Sequence, residues 1–121
     1  MHKDAAKAAE AASCAAAQGR FWEMHDILFQ NQKNLSRDDL RRYADTLKLN
    51  PTRFAACVDR GRYTAEWQQD QADGRQYGVT GTPALFVNGR PVFGAVTLQD
   101  LIQILDEELA RVDQSVTTKG L

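Results

Sequence analysis

The sequence predicts a mostly helical α/β chain, with a helical block first, a β-hairpin next and a covering helix last. Three observations carry this. Apolar residues recur at helical spacing from Phe21 to Val58, between an alanine-rich and a polar helical run. Two short apolar runs, Ala84 to Val87 and Arg90 to Phe93, are separated by Asn88-Gly89, the strongest short-range signal for a hairpin with a type I′ turn. After Thr97 comes the most regular amphipathic stripe in the chain.

The elements follow in order. Asp4 is placed to cap a first helix running to about Gln18, alanine-rich, carrying Cys14 and stopped by Gly19. From Arg20 to about Gln32, Phe21, Trp22, Met24, Ile27 and Leu28 form a helix and the densest aromatic cluster, read as core, with His25 bordering its apolar face. Ser36 with Asp39 makes a capping-box start for a third helix, whose stripe is Leu40, Tyr43, Ala44 and Leu47. Asn50-Pro51 starts a fourth, ended by Gly61, with Phe54, Cys57 and Val58 on one inward face. A fifth, from Thr64 or Ala65 to Tyr77, is polar apart from Trp67 and its terminal tyrosines, and reads as solvated. Gly78 reads as its C-cap and Gly81 as a tight approach into the strand. Pro83 forces Thr82 out of helical conformation and makes the Thr82-Pro83 bond a cis candidate. In the last helix Leu98, Leu101, Ile102, Leu105, Leu109 and Val112 are expected to lie on the sheet, with 113–121 as a frayed tail.

Composition bounds the function. A chain of 121 residues, 43% hydrophobic and 26% charged, is expected to be one structural domain with a single core. Fifteen basic and sixteen acidic side chains leave a net charge of −1 and no basic stripe, which points away from nucleic acid and from anionic membrane surfaces. No apolar run reaches the roughly 18 residues of a membrane span, and residues 1–20 are unlike a signal segment. His2 and His25 complete no zinc-site spacing, so no metal or cofactor is expected. His25 reads as a hydrogen-bonded core-edge histidine, there being no nucleophile beside it. Cys14 and Cys57 stand 43 positions apart, too far for a local redox motif.

The stretch G-V-T-G-T-P-A-L-F-V-N-G-R, with F-W-E-M-H-D-I-L-F (Phe21 to Phe29), L-S-R-D-D-L (Leu35 to Leu40) and R-F-A-A-C-V-D (Arg53 to Asp59), resembles DsbA-like thiol-disulfide oxidoreductases. The likeness covers about residues 2 to 112 and implies a partial thioredoxin-like fold: the family's helical insertion over 2–78, then the hairpin and covering helix over 79–112. In that family the Thr-Pro bond is cis and faces a redox-active Cys-x-x-C. Thr82 and Pro83 match those positions, so the resemblance implies that they contact an extended substrate polypeptide. This sequence contains no Cys-x-x-C. The strands and helix that carry it would precede residue 1, and Met1 then reads as a start residue placed on, or misassigned within, a longer chain.

The resemblance implies a protein thiol-disulfide oxidoreductase working outside the cytoplasm, in the periplasm, in the cell envelope or as a secreted protein, with this chain alone inactive for want of the attacking sulfur. Matching family members can carry an extra disulfide between the helices that bear Cys14 and Cys57. Two buried reduced thiols or an exchanging pair are the alternatives, the last disfavoured because neither cysteine has a basic neighbour that clearly lowers its pKa. The strand Ala84 to Val87 would keep one edge unpaired, inviting a second copy or a complementary N-terminal fragment, whereas Pro91 marks the other strand as an outer edge. Two other readings are a glutathione-using kappa-type transferase or isomerase, whose proline is preceded by valine rather than Thr82, and a non-enzymatic truncated binding module.

Overall fold

The computed structural model describes residues 2–119, with side chains through Val116; Met1, and the expectation attached to it, lie outside the described residues. The elements are α1 (Ala5–Ala16), α2 (Phe21–Gln30), α3 (Arg37–Thr46), α4 (Pro51–Arg60), α5 (Thr64–Gln76), β1 (Ala84–Val87), β2 (Arg90–Phe93) and α6 (Leu98–Lys119). The chain divides into two compact units, Met1–Asp73 and Gly74–Leu121, with the division inside α5, a helix that buries none of its residues.

The first unit is a four-helix cluster with the start of α5. Its core is Ala11, Cys14 and Ala15 of α1, Met24 and Leu28 of α2, Leu40 and Ala44 of α3, Leu49, and Phe54 and Val58 of α4. Local chemistry sets the helix starts. Ser36 Oγ accepts from Asp39 N while the Asp39 carboxylate accepts from Ser36 N, the reciprocal capping box. Asn50 Oδ1 accepts from Arg53 N at 2.9 Å, Pro51 opens α4, and Gly61 closes it with a left-handed φ of 59°. Asp4 makes no such cap, and α1 ends at Ala16, short of the positive-φ Gly19.

Glu10 is 1% exposed and ties this unit together. Its carboxylate accepts from Tyr63 N at 2.6 Å, Thr64 Oγ1 at 3.0 Å and Trp67 Nε1 at 3.2 Å. A buried charge needs such partners. These donors cluster at the start of α5, where the unpaired N–H groups favour an anion.

The α2 aromatics are not core. Only Met24 and Leu28 of that helix are buried, while Phe21, Trp22 and Phe29 are exposed. Helical spacing gathers both sets, but only one turn-to-turn line faces α1 and α3, and the bulky rings fall outside it. His25 accordingly borders the exposed rings rather than the core, with centroids 4.7 Å from Phe29 and 5.3 Å from Trp22.

The second unit is the hairpin with α6. β1 and β2 pair antiparallel with Leu85 opposite Val92 and Phe86 opposite Pro91. Asn88 and Gly89 both have positive φ, as a type I′ turn requires. Thr97 and Asp100 cap α6 reciprocally, Asp100 N donating to Thr97 Oγ1 at 3.1 Å and Thr97 N to the Asp100 carboxylate at 3.3 Å. The helix runs on through Lys119, where a frayed tail from residue 113 was expected. Nothing between Asp113 and Lys119 is a glycine or proline, and Val116 continues the apolar period one turn beyond Val112.

The stripe of α6 was expected to lie on the sheet; most of it does not. Leu98, Ile102, Leu105, Leu109, Val112 and Val116 are exposed. The less exposed line is Leu101, Ile104 and Glu108, and Glu108 reaches within 3.9 Å of Arg90 on β2. Lengths explain this. A 22-residue helix spans about 33 Å, and four-residue strands about 13 Å, so two strands cannot cover it. Among the described residues the sheet has these two strands only.

Candidate functional site

Two places carry the chemistry that the sequence singled out, one in each unit. In the second unit, α5 ends in a turn where Val79 N donates to Gly74 O at 2.9 Å and Gly78 has a φ of 85°. Gly81 is not a tight approach. A Cβ there would meet nothing within 4 Å, and its φ is not positive. The chain then reaches Thr82 and Pro83, both exposed and joined by a cis peptide bond. Gly94 N donates to Pro83 O at 3.0 Å, which fixes the loop to the far end of the hairpin. Register begins at Ala84, so the backbone groups of Thr82 lie outside the hairpin's own pairing. On the same sheet face, Phe86 is edge-on to Phe93 at 6.2 Å and to Tyr77 at 6.3 Å. The loop therefore offers exposed backbone beside an aromatic shelf, and among the described residues β1 pairs with β2 alone.

In the first unit, Cys14 of α1 and Cys57 of α4 form a disulfide with S–S 2.04 Å and Cα–Cα 5.9 Å. Cys14 is buried and Cys57 half-buried. The bridge lines a concavity of about 520 Å³ together with Arg53, Arg60 and Arg62. The sequence reading missed these neighbours. Arg53 and Arg60 stand four positions before and three after Cys57, hence on its helical face, and the signal was visible in that spacing. Arg62 comes round only because Gly61 turns the chain, its N–H donating to Cys57 O at 3.1 Å.

His25 meets no nucleophile. Its Nδ1 lies 3.0 Å from an Asp26 carboxylate oxygen, and rings surround it otherwise. Four carboxylates elsewhere are held below the usual range, Glu23 by the Arg20 side chain beside it. The Ser36 hydroxyl and backbone N–H lower Asp39, the Arg37 guanidinium lowers Asp59, and Arg90 with Gln103 lowers Glu107.

The family model described as DSBA-like thioredoxin domain matches residues 1–106. The chain belongs to that family. The partial thioredoxin-like fold is the one that the sequence predicted, and the DSBA-like family is one of thiol-disulfide oxidoreductases.

Relatives of the DSBA-like chain include a Na(+)/H(+) antiporter NhaA 3 of Salinispora tropica, 43% identical over 101 residues, covering 84% of this chain and 16% of the relative. Another, a Na(+)/H(+) antiporter NhaA 1 of Salinispora arenicola, is 40% identical with the same coverage. A Na(+)/H(+) antiporter NhaA of Herminiimonas arsenicoxydans is 34% identical over 82% of the chain and 16% of the relative. The chain thus spans about a sixth of the length of these relatives. No solved structure gives a match. Among the described residues no helix is long and apolar enough to cross a membrane.

Proposed function

We propose that this DSBA-like chain supplies the substrate side of a protein thiol-disulfide oxidoreductase acting outside the cytoplasm, with Thr82 and Pro83 contacting an extended polypeptide. The observation that carries the reading is the family match across residues 1–106 with Thr82-Pro83 at the head of β1, whose other edge is unpaired among the described residues. The Cys14–Cys57 bridge suits an oxidising compartment. Disulfide transfer proceeds by thiolate attack through a mixed disulfide, and the sequence holds no Cys-x-x-C to provide the thiolate. The chain therefore binds substrate without turning it over. The edge of β1 left open among the described residues is the place for a second copy or for a complementary fragment that adds strands.

The test pairs binding with turnover. A reduced, unfolded polypeptide should bind saturably, and Pro83→Ala should weaken that binding while leaving the helical circular dichroism unchanged. Insulin reduction should not exceed that of a Cys14→Ser, Cys57→Ser control. Turnover above the control, or binding indifferent to Pro83, refutes the proposal.

A second reading draws on the relatives named as Na(+)/H(+) antiporters, of which the matched region is about a sixth. On it, the domain is one module of a larger membrane polypeptide. An antibody against this domain, applied to fractionated cells of the source, decides by the size and membrane association of the band.

A further inference from the structure

We propose that the Cys14–Cys57 bridge is an exchange site for small thiols that carry carboxylates, recruited by Arg53, Arg60 and Arg62. Three observations converge. The concavity at the bridge, about 520 Å³, is of the size that admits a small molecule. Cys57 is half-buried there while Cys14 is 1% exposed, so Cys57 is the more accessible half of the bridge and the one at which we place the attack. The three arginines on its walls are exposed and, among the described residues, none is ion-paired. Asp59, the acid within this run, is turned to Arg37 and Arg41 instead. Unpaired guanidiniums around a disulfide concentrate anions and favour the thiolate that a broken bridge leaves behind.

The chemistry balances with the thiol as reductant. An external thiolate attacks Cys57 Sγ, the bond to Cys14 breaks, and Cys14 departs as thiolate, leaving Cys57 in a mixed disulfide. A second thiolate attacks the external sulfur of that mixed disulfide, releasing Cys57 as thiolate and the small molecule as its own disulfide. Two electrons pass from the two thiols to the bridge, and the protons those thiols lost on ionising return to Cys14 and Cys57. The exchange is stoichiometric in the bridge and separate from turnover of protein substrates, so it stands or falls independently of the Thr82-Pro83 reading.

The test compares mercaptoacetate, 2-mercaptoethanol and cysteamine, which are anionic, neutral and cationic beside the sulfur. Each reduces the intact chain under pseudo-first-order conditions, aliquots are trapped by alkylation, and intact mass reports the open fraction. Rates are divided by those of the same thiols with a neutral small disulfide, which removes differences in thiolate fraction and nucleophilicity. The expected order is anion, neutral, cation, with about a tenfold spread at low salt that collapses in 1 M NaCl. In R53Q/R60Q/R62Q the three corrected rates converge while circular dichroism is unchanged. Equal rates in the parent chain, a faster cysteamine, or an order untouched by the triple substitution overturns the proposal. So does a common rate independent of thiol concentration, which would mean that the bridge opens only when the unit unfolds.

Discussion

Replacing Glu10 by alanine removes the one acceptor shared by Tyr63 N, Thr64 Oγ1 and Trp67 Nε1. Hydrogen bonds to a charged group contribute about 1.5–3 kcal/mol each when both partners are shielded. All three donor residues are only half-buried, so water recovers part of the loss, and the expected cost is about 3 kcal/mol. Glu10→Gln keeps the volume and one acceptor oxygen and should cost about 1–2 kcal/mol. For a unit this small, with a urea slope of about 1–1.5 kcal/mol/M, the alanine variant should unfold about 2–3 M earlier. Circular dichroism against urea reads this directly, with intact mass confirming that the disulfide is retained in every variant. A shift below about 0.5 M for alanine, or a glutamine variant no milder than alanine, would show that the carboxylate does not hold α1 to the start of α5.

The remaining predictions concern the bridge, acid and the apolar face. Cys14→Ala with Cys57→Ala should cost about 4 kcal/mol, the chain-entropy value for a loop of 43 positions, seen in urea unfolding with and without reductant. Asp39 and Asp59 have folded pKa values below their unfolded ones, so the stability they add is complete above the ordinary carboxylate range. It is lost as pH falls through the lowered folded values, and Arg37→Gln should flatten this acid limb of the urea midpoint by releasing Asp59. Leu105→Lys and Leu109→Lys, at exposed positions, should each change stability by less than about 0.5 kcal/mol. The same pair should lower any dimer fraction seen in size-exclusion chromatography with light scattering, whereas a loss of several kcal/mol would mean that the face is already covered.

What could be read from the sequence was set by chemistry within a few residues. The Asn88-Gly89 turn, the Ser36–Asp39 and Thr97–Asp100 caps and the Asn50-Pro51 start are each closed between neighbours three positions apart or fewer, so the side chains alone specify them. The position of Thr82-Pro83 ahead of β1 followed from the same kind of signal. Periodicity was less informative. It marks an apolar face but not whether anything covers it, and so the α2 rings were read as core and the α6 stripe as lying on the sheet, when the rings and most of the stripe are exposed. Glu10 finds its donors more than fifty positions away, a pairing no local pattern announces. At the disulfide, Arg53 and Arg60 were legible from spacing to Cys57, but Arg62 needed the left-handed turn at Gly61.

The Cys14–Cys57 bridge encloses all of α2 and α3, together with the exposed turn residues Lys33 and Asn34 between them. A protease that cuts after Lys33 therefore leaves both halves of the first unit covalently tethered. On a non-reducing gel such a nicked molecule migrates as one species, and only reduction separates it into two. The bridge thus makes the α2–α3 turn a place where the backbone can be severed without release of either piece.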